Sequence, residues 1–264
     1  MNAKTRDALN RINRAFYAAT AEDFSASRQH AWPGWRRVVA CAKRLRPSGA
    51  GGEPLRVLDV GCGNGRFAGF LDTEYEGAFR YLGIDSSEPL LAVARHDQRG
   101  RSHVEFALGD VVTAVSGDTA GGELASPPGP FDLILVGGLL HHVPGVETRR
   151  ALLQQLARRL APGALLVAVA WRFGAFERFR SRSLAWEDYN RGAKHPIDLD
   201  QLEPGDHLLP WGAGGRAARY CHFVDEGEMA ALISGLDLAQ VDEFTADGKS
   251  SDLNHYVVLR RSDV

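Results

Sequence analysis

A short apolar strand that ends in an acid and runs straight into three alternate glycines leaves this chain few folds to adopt. Val57-Leu58-Asp59-Val60 leads into Gly61-Cys62-Gly63-Asn64-Gly65. Glycine permits left-handed backbone and lets a ligand come close to the main chain at the carboxyl end of a strand. Two further apolar runs close on acids, at Asp85 and at Gly109-Asp110. Strands are expected at 56–60, 81–85, 104–108, 131–137 and 164–171, with helices at 65–72, 87–96 and 146–160. This alternation predicts an α/β fold built on a doubly wound, mostly parallel sheet.

The glycine spacing alone is weak evidence for a ligand. A dinucleotide fingerprint reads GxGxxG, and Arg66 stands where its last glycine would be. The acid before the loop adds a second argument. Asp59 would repel a pyrophosphate but suits the cationic amine of a methionine group. Asp85 can accept both hydroxyls of a ribose, and Asp110 can face an adenine amino group. Three acids after three successive strands therefore predict S-adenosylmethionine. An NAD-type cofactor or a non-catalytic scaffold is the alternative, and either Asp85 or Asp110 could instead cap the helix that follows it.

Composition narrows the setting. The chain has 264 residues, 44% of them hydrophobic, enough for one elaborated α/β domain or two small domains. Cys41, Cys62 and Cys221 are far apart and form neither a disulfide framework nor a CxxC knuckle, so a reducing compartment is expected and no metal. No stretch approaches a membrane span and no apolar segment follows the N-terminus, which predicts a cytoplasmic protein. The net charge of −2 hides an uneven spread. Residues 1–50 carry ten Lys or Arg against three acids, and residues 195–250 carry three against eleven. Either a polyanionic partner or simple solvation of a helix would account for the basic arm.

Four regions are expected: a helical cap at 1–50, a cofactor core at 51–171, a lid insertion at 172–223 and completion of the core sheet at 224–264. The cap has helices at 4–20, with Leu9, Ile12 and Phe16 on one stripe, and at 35–45, separated by Trp32-Pro33-Gly34-Trp35. Residues 116–130 read as a surface excursion, and 172–223 show no clear β-α unit. A helix at 225–235 and strands at 238–244 and 255–261 finish the chain, with the intervening loop at 245–252 facing either side of the sheet.

The core resembles the class I S-adenosylmethionine-dependent methyltransferases in DVGCGNG at 59–65, GIDSS at 83–87, GD at 109–110, FDLILVGGLLHH at 131–142 and LAPGALLVAV at 160–169. That resemblance implies a seven-stranded Rossmann-like sheet with an antiparallel last strand. It also implies a cofactor set of Asp59, Gly61, Cys62, Gly63, Asp85, Ser86, Asp110 and Val111. The flanks resemble a narrower group, the tRNA wobble-uridine carboxymethyl methyltransferases and the methyltransferase domain of their AlkB-type relatives. The matching segments are FSxSRxxxWP at 24–33, the pair His141-His142, LPW at 209–211, RYCHF at 219–223 and NHYVV at 254–258. Cys221 and His255 depart from that group's aromatic residues, and the segment Gly212-Ala213-Gly214-Gly215 is short. The resemblance implies methyl-ester formation on a 5-carboxymethyluridine, a tRNA partner and a small zinc-binding activator protein. A small-molecule acceptor is the alternative.

A carboxylate acceptor is already ionised near neutral pH, so its methylation needs positioning and no general base. Arg219, His222 and His141 are the candidate catalytic residues. Arg28, Trp32 and Trp211 are the candidate substrate-binding residues. A phenol or a protonated nitrogen would instead need His141 as a base. For His222 the competing reading is a core histidine, and for Trp211 a lid anchor. A metal held by His141, His142, Cys221 and His222 lacks recognised ligand spacing.

Overall fold

The computed structural model describes residues 1–45, 53–116, 129–212, 215 and 217–263. The glycine-rich stretch after residue 45, most of the excursion at 116–130 and part of the loop at 212–215 lie outside the described residues.

Nine strands and nine α-helices are present among the described residues. The strands are β1 (Leu55–Val60), β2 (Phe79–Asp85), β3 (Val104–Leu108), β4 (Phe131–Gly137), β5 (Leu160–Trp171), β6 (Asp206–Trp211), β7 (Ala217–His222), β8 (Ala239–Ala246) and β9 (Asn254–Arg260). The helices are α1 (Ala3–Ala26), α2 (Gly34–Leu45), α3 (Arg66–Glu74), α4 (Glu88–Asp97), α5 (Val111–Val115), α6 (Val146–Arg158), α7 (Glu177–Arg180), α8 (Trp186–Gly192) and α9 (Glu226–Ile233). Seven strands form one sheet in the order β3-β2-β1-β4-β5-β9-β8. Only β9 runs antiparallel, pairing with β5 on one side and β8 on the other. The expected seven-stranded methyltransferase architecture is therefore present.

Period-two side-chain alternation divides the core between the two faces of this sheet. Leu58, Ile134, Val136, Leu166 and Ala168 bury against Leu152 and Leu156 of α6 and Leu232 of α9. Val57, Leu133, Leu135, Val167 and Tyr256 bury against Val38 and Val39 of α2 and Phe67 and Leu71 of α3. Each such fully buried aliphatic side chain contributes about 1.5–3 kcal/mol.

Helix α1 joins neither layer. It is capped by Asn2, whose side chain accepts from the Thr5 N–H, and it continues six residues past the expected end. Its Ala8 and Leu9 pack with Ile197 and Tyr220 of the insertion.

Residues 172–223 contain a separate two-stranded sheet, β6 with β7, that the sequence reading missed. Pro210 sits within β6 opposite Ala218, a place open to proline because the other side of β6 carries only one isolated bridge among the described residues, Leu184 to Leu208. A buried cluster braces this hairpin from behind. Arg149 of α6 is 1% exposed and donates to Glu203 and Glu228 at 2.6 and 2.7 Å.

Part of the basic arm is paired within the molecule. Arg37 of α2 pairs with Asp242 of β8, Arg36 lies 3.8 Å from Glu74, and Lys43 lies 3.1 Å from Glu76. No described helix is long and apolar enough to cross a membrane.

Candidate active site

The glycine loop, the ends of β1 to β4, helix α1, hairpin β6–β7 and the β8–β9 turn enclose one cavity of about 690 Å³. All eight expected cofactor residues line it, as do Arg28, Trp32, His141, Trp211 and Arg219. His222 does not.

The loop end is built by backbone geometry. Gly63 has φ of +56°, and a Cβ there would meet nothing within 4 Å, so its glycine serves conformation and open space. Its N–H donates to Asp85 Oδ2 at 2.9 Å, and the Ser87 N–H donates to Asp85 Oδ1 at 2.8 Å. Two backbone donors thus orient the Asp85 carboxylate and leave each oxygen a lone pair for a diol. Ser87, not Asp85, caps α4. Asp110 does cap α5, through Oδ1, while its Oδ2 accepts from Asn10 of α1 at 2.8 Å. Capping and facing the cavity are compatible in Asp110, because different oxygens are engaged. Asp59 is buried and accepts from Tyr81 Oη at 2.6 Å. Burial, only partly offset by that hydrogen bond, raises its pKa to about 7.

An open glycine, an oriented diol acceptor and a buried acid suited to an ammonium fit S-adenosylmethionine. Its sulfonium supplies an electrophilic methyl group when bound. Asp59 would hold the amine, Asp85 the ribose and Asp110 the adenine.

The other end is built from distant segments. Arg219 of β7 is 6% exposed, lies 5.1 Å from the Trp171 ring and 5.5 Å from the Phe16 ring, and its Nε has no hydrogen-bond partner. Arg28 stacks 3.6 Å over Phe24. Burial, followed by the neighbouring charge of Arg219, lowers its pKa to about 10. Trp211 meets Phe16 edge-on at 5.8 Å, and Trp32 covers Gly138.

His141 and His142 occupy a 3-10 turn, Leu140–His142, with ring centroids 4.1 Å apart. Both face the cavity, because the tight turn keeps them on one side. Burial, reinforced by His142 and by Arg219 and Arg28, keeps His141 neutral, and its Nδ1 is unpartnered. Burial also lowers the His142 pKa, to about 3. His142 Nδ1 lies 2.9 Å from the Tyr220 carbonyl, which only accepts, so this nitrogen carries the proton. Nε2 is then the acceptor for Tyr17 Oη at 2.9 Å.

His222 requires a correction. Its Nδ1 lies 2.7 Å from Asp206 and its Nε2 2.7 Å from Glu228, next to Arg149. Arg219 and His222 stand three residues apart on an alternating strand and so point to opposite faces, which separates them. His222 belongs to the buried brace. The imagined four-residue metal group is likewise split: His141, His142 and Cys221 bring donor atoms within 4.8 Å, whereas His222 clusters with Glu203 and Asp206.

Several cavity residues were absent from the expected set: Asn10, Tyr17, Arg66, Asp247 and Asn254. Tyr17 sits in the N-terminal flank, and Arg66 stood out only as a missing glycine. Asp247 places the 245–252 loop on the cavity side. It adopts φ of +69° and accepts from Gly34 N–H, Asn254 and Tyr256 at 2.9, 2.8 and 2.6 Å.

A family described as a methyltransferase domain matches residues 58–166. The mouse tRNA (carboxymethyluridine(34)-5-O)-methyltransferase ALKBH8 is 28% identical over 183 residues, 69% of this chain and 23% of that protein. The chain thus spans less than a quarter of that relative. The N-methyltransferase NodS of Bradyrhizobium japonicum, solved with S-adenosyl-L-homocysteine, superposes with a TM-score of 0.53 at 20% identity, covering 98% of both chains. A Haloferax volcanii methyltransferase, solved with the Trm112 activator, superposes with a TM-score of 0.57 at 15% identity, covering 94% of this chain and 97% of that one. The shared fold and the matched methyltransferase domain, which runs from the glycine loop into the fifth strand, together support a class I S-adenosylmethionine-dependent methyltransferase.

Proposed function

We propose that the enzyme methylates a carboxylate, and that the acceptor is a 5-carboxymethyluridine at the wobble position of tRNA. The observation that carries this reading is Arg219, a buried guanidinium with an unpartnered Nε, beside Arg28 in an aromatic-walled space. Neither arginine is paired with a carboxylate among the described residues. Two such cations leave the acceptor end waiting for an anion.

A carboxylate oxygen forms the new bond to the methyl carbon as the carbon–sulfur bond breaks, with its electrons going to sulfur. No proton moves, so a neutral His141 is adequate as a hydrogen-bonding wall. Arg219 and Arg28 orient the carboxylate, while Trp32 and Trp211 confine the ring that bears it. Residues 172–223 act as a lid, since β6 and β7 bring in Trp211 and Arg219. The resemblance of the flanking segments 24–33, 209–211 and 219–223 to the wobble-uridine enzymes, beside the 28% identity to a relative of that name, favours the nucleoside acceptor. The Haloferax complex favours a small activator protein as partner.

A second acceptor of the same chemistry, a small-molecule carboxylate, is favoured by the internal pairing of the basic α2 residues. That pairing engages three of the ten cations of the basic arm. Incubation with tRNA lacking its natural ester, with and without an activator protein, followed by nucleoside mass analysis, separates the two. Gain of one methyl on carboxymethyluridine is expected. Labelling of a metabolite extract but never of RNA would move the assignment to the small acid.

A further inference from the structure

The residue that breaks the dinucleotide fingerprint has no role in the account above. Arg66 is the first residue of α3, directly after the glycine loop, and its side chain lines the cavity. It is half-buried, between Trp32 at 5.6 Å and Trp35 at 5.3 Å. One terminal nitrogen, Nη1, donates to the His30 carbonyl at 2.5 Å. No carboxylate pairs with Arg66 among the described residues.

Across the same loop stands Asp59, which also lacks an ionic partner and is held only by the Tyr81 hydroxyl. The two opposite charges thus flank the five-residue loop 61–65 without closing on each other. Each feels the other's field: Arg66 counters the upward shift of Asp59, and Asp59, with Asp247, counters the burial that depresses Arg66. A matched but unjoined acid and guanidinium suit one kind of ligand group, an amino-acid zwitterion. Arg28, whose pKa burial lowers, also feels the positive charges of Arg219 and Arg66, and all three arginines line the one cavity.

We propose that Arg66 binds the methionine carboxylate of the cofactor while Asp59 binds its ammonium, so that the pair flanking the glycine loop reads the zwitterion. The Trp32 and Trp35 rings keep the guanidinium plane in place, and the His30 carbonyl anchors one nitrogen. The remaining nitrogens then meet the carboxylate without paying to order a free side chain.

Two ligands separate recognition from folding. S-adenosylhomocysteine carries the zwitterion, and 5′-methylthioadenosine has the same nucleoside without it. Calorimetric titration of the full chain is expected to show that Arg66→Gln weakens S-adenosylhomocysteine by about tenfold or more. The same change should alter methylthioadenosine by less than about twofold, because that ligand never reaches Arg66. Arg66→Lys keeps a charge but loses the forked geometry, so its S-adenosylhomocysteine affinity should fall between wild type and Arg66→Gln. If both ligands weaken by the same factor in Arg66→Gln, or if S-adenosylhomocysteine binds unchanged, the assignment is overturned. Should Arg66→Gln not fold, the Arg66→Lys comparison decides on the same two ligands. Neither readout involves an acceptor, so the result stands apart from the carboxylate reading of the other end.

Discussion

The two ends of the cavity are made in different ways. At the cofactor end, Asp59, Asp85 and Asp110 sit at the ends of β1 and β2 and just after β3, and backbone N–H groups of the adjoining loops orient Asp85 and Asp110. At the acceptor end, Arg28 comes from just beyond α1 and Arg219 from a hairpin nearly two hundred residues later. One end is acidic and locally determined, whereas the other is basic and assembled by packing. Sheet strands enforce the first arrangement wherever the fold forms. The second depends on α1 and β6–β7 being held against the core.

That contrast can be broken at its weakest mechanical point. Arg149→Ala should leave Glu203, Glu228 and His222 in a buried cluster without their shared cation. A loss of about 3–5 kcal/mol is expected, read from urea unfolding. The defect should concentrate on β6–β7, so hydrogen exchange should rise there before it rises in β1 or β4. Uniform acceleration across both sheets would show that the hairpin is not separately braced.

Arg219→Ala should lower kcat/KM for a carboxylate acceptor by about two to three orders of magnitude. Affinity for S-adenosylhomocysteine should stay within about twofold, because the two ends are independent. A neutral acceptor methylated equally well by both forms would dissociate Arg219 from the reaction. The converse substitution, Asp85→Ala, should weaken S-adenosylhomocysteine by about a hundredfold through lost charge-assisted bonds to the ribose. Acceptor binding measured alone should be unaffected.

The acid end also predicts a pH dependence. Burial raises the Asp59 pKa from 3.8 in the unfolded chain to about 7 in the fold. The folded state therefore holds this proton more tightly, and its contribution favours folding at low pH. That contribution is lost as pH rises through the interval from about 4 to about 7. Thermal stability of the ligand-free protein should fall across that interval, and Asp59→Asn should flatten the fall. An identical slope in the variant would assign the titration elsewhere.

The smallest effect on the site should come from His222. His222→Gln should reduce stability but change both KM for the acceptor and cofactor affinity by less than about twofold, since the ring lies outside the cavity. A specific loss of kcat at unchanged stability would return His222 to the reaction.

Local pattern and tertiary assembly contributed separately to what could be read in advance. The parallel strands and their helices follow from period-two and helical spacing, and the acids follow from their positions at strand ends. Hairpin β6–β7 escaped because Pro210 interrupts its pattern and its length is short. Arg219 and His222 are three apart, and their shared motif suggested a common role. Strand alternation sends one into the cavity and the other into the brace. Sequence order likewise said nothing of Asp247 meeting Gly34, or of Tyr17 meeting His142.

By itself, then, the sequence determined the sheet, the glycine loop and the acids that suit a methyl donor. These depend on contacts within one β-α unit, where spacing along the chain is spacing in the fold. Only the tertiary structure decided which arginines meet and which histidine is buried in a brace. Those pairings join segments tens to hundreds of residues apart, and packing rather than spacing brings them together.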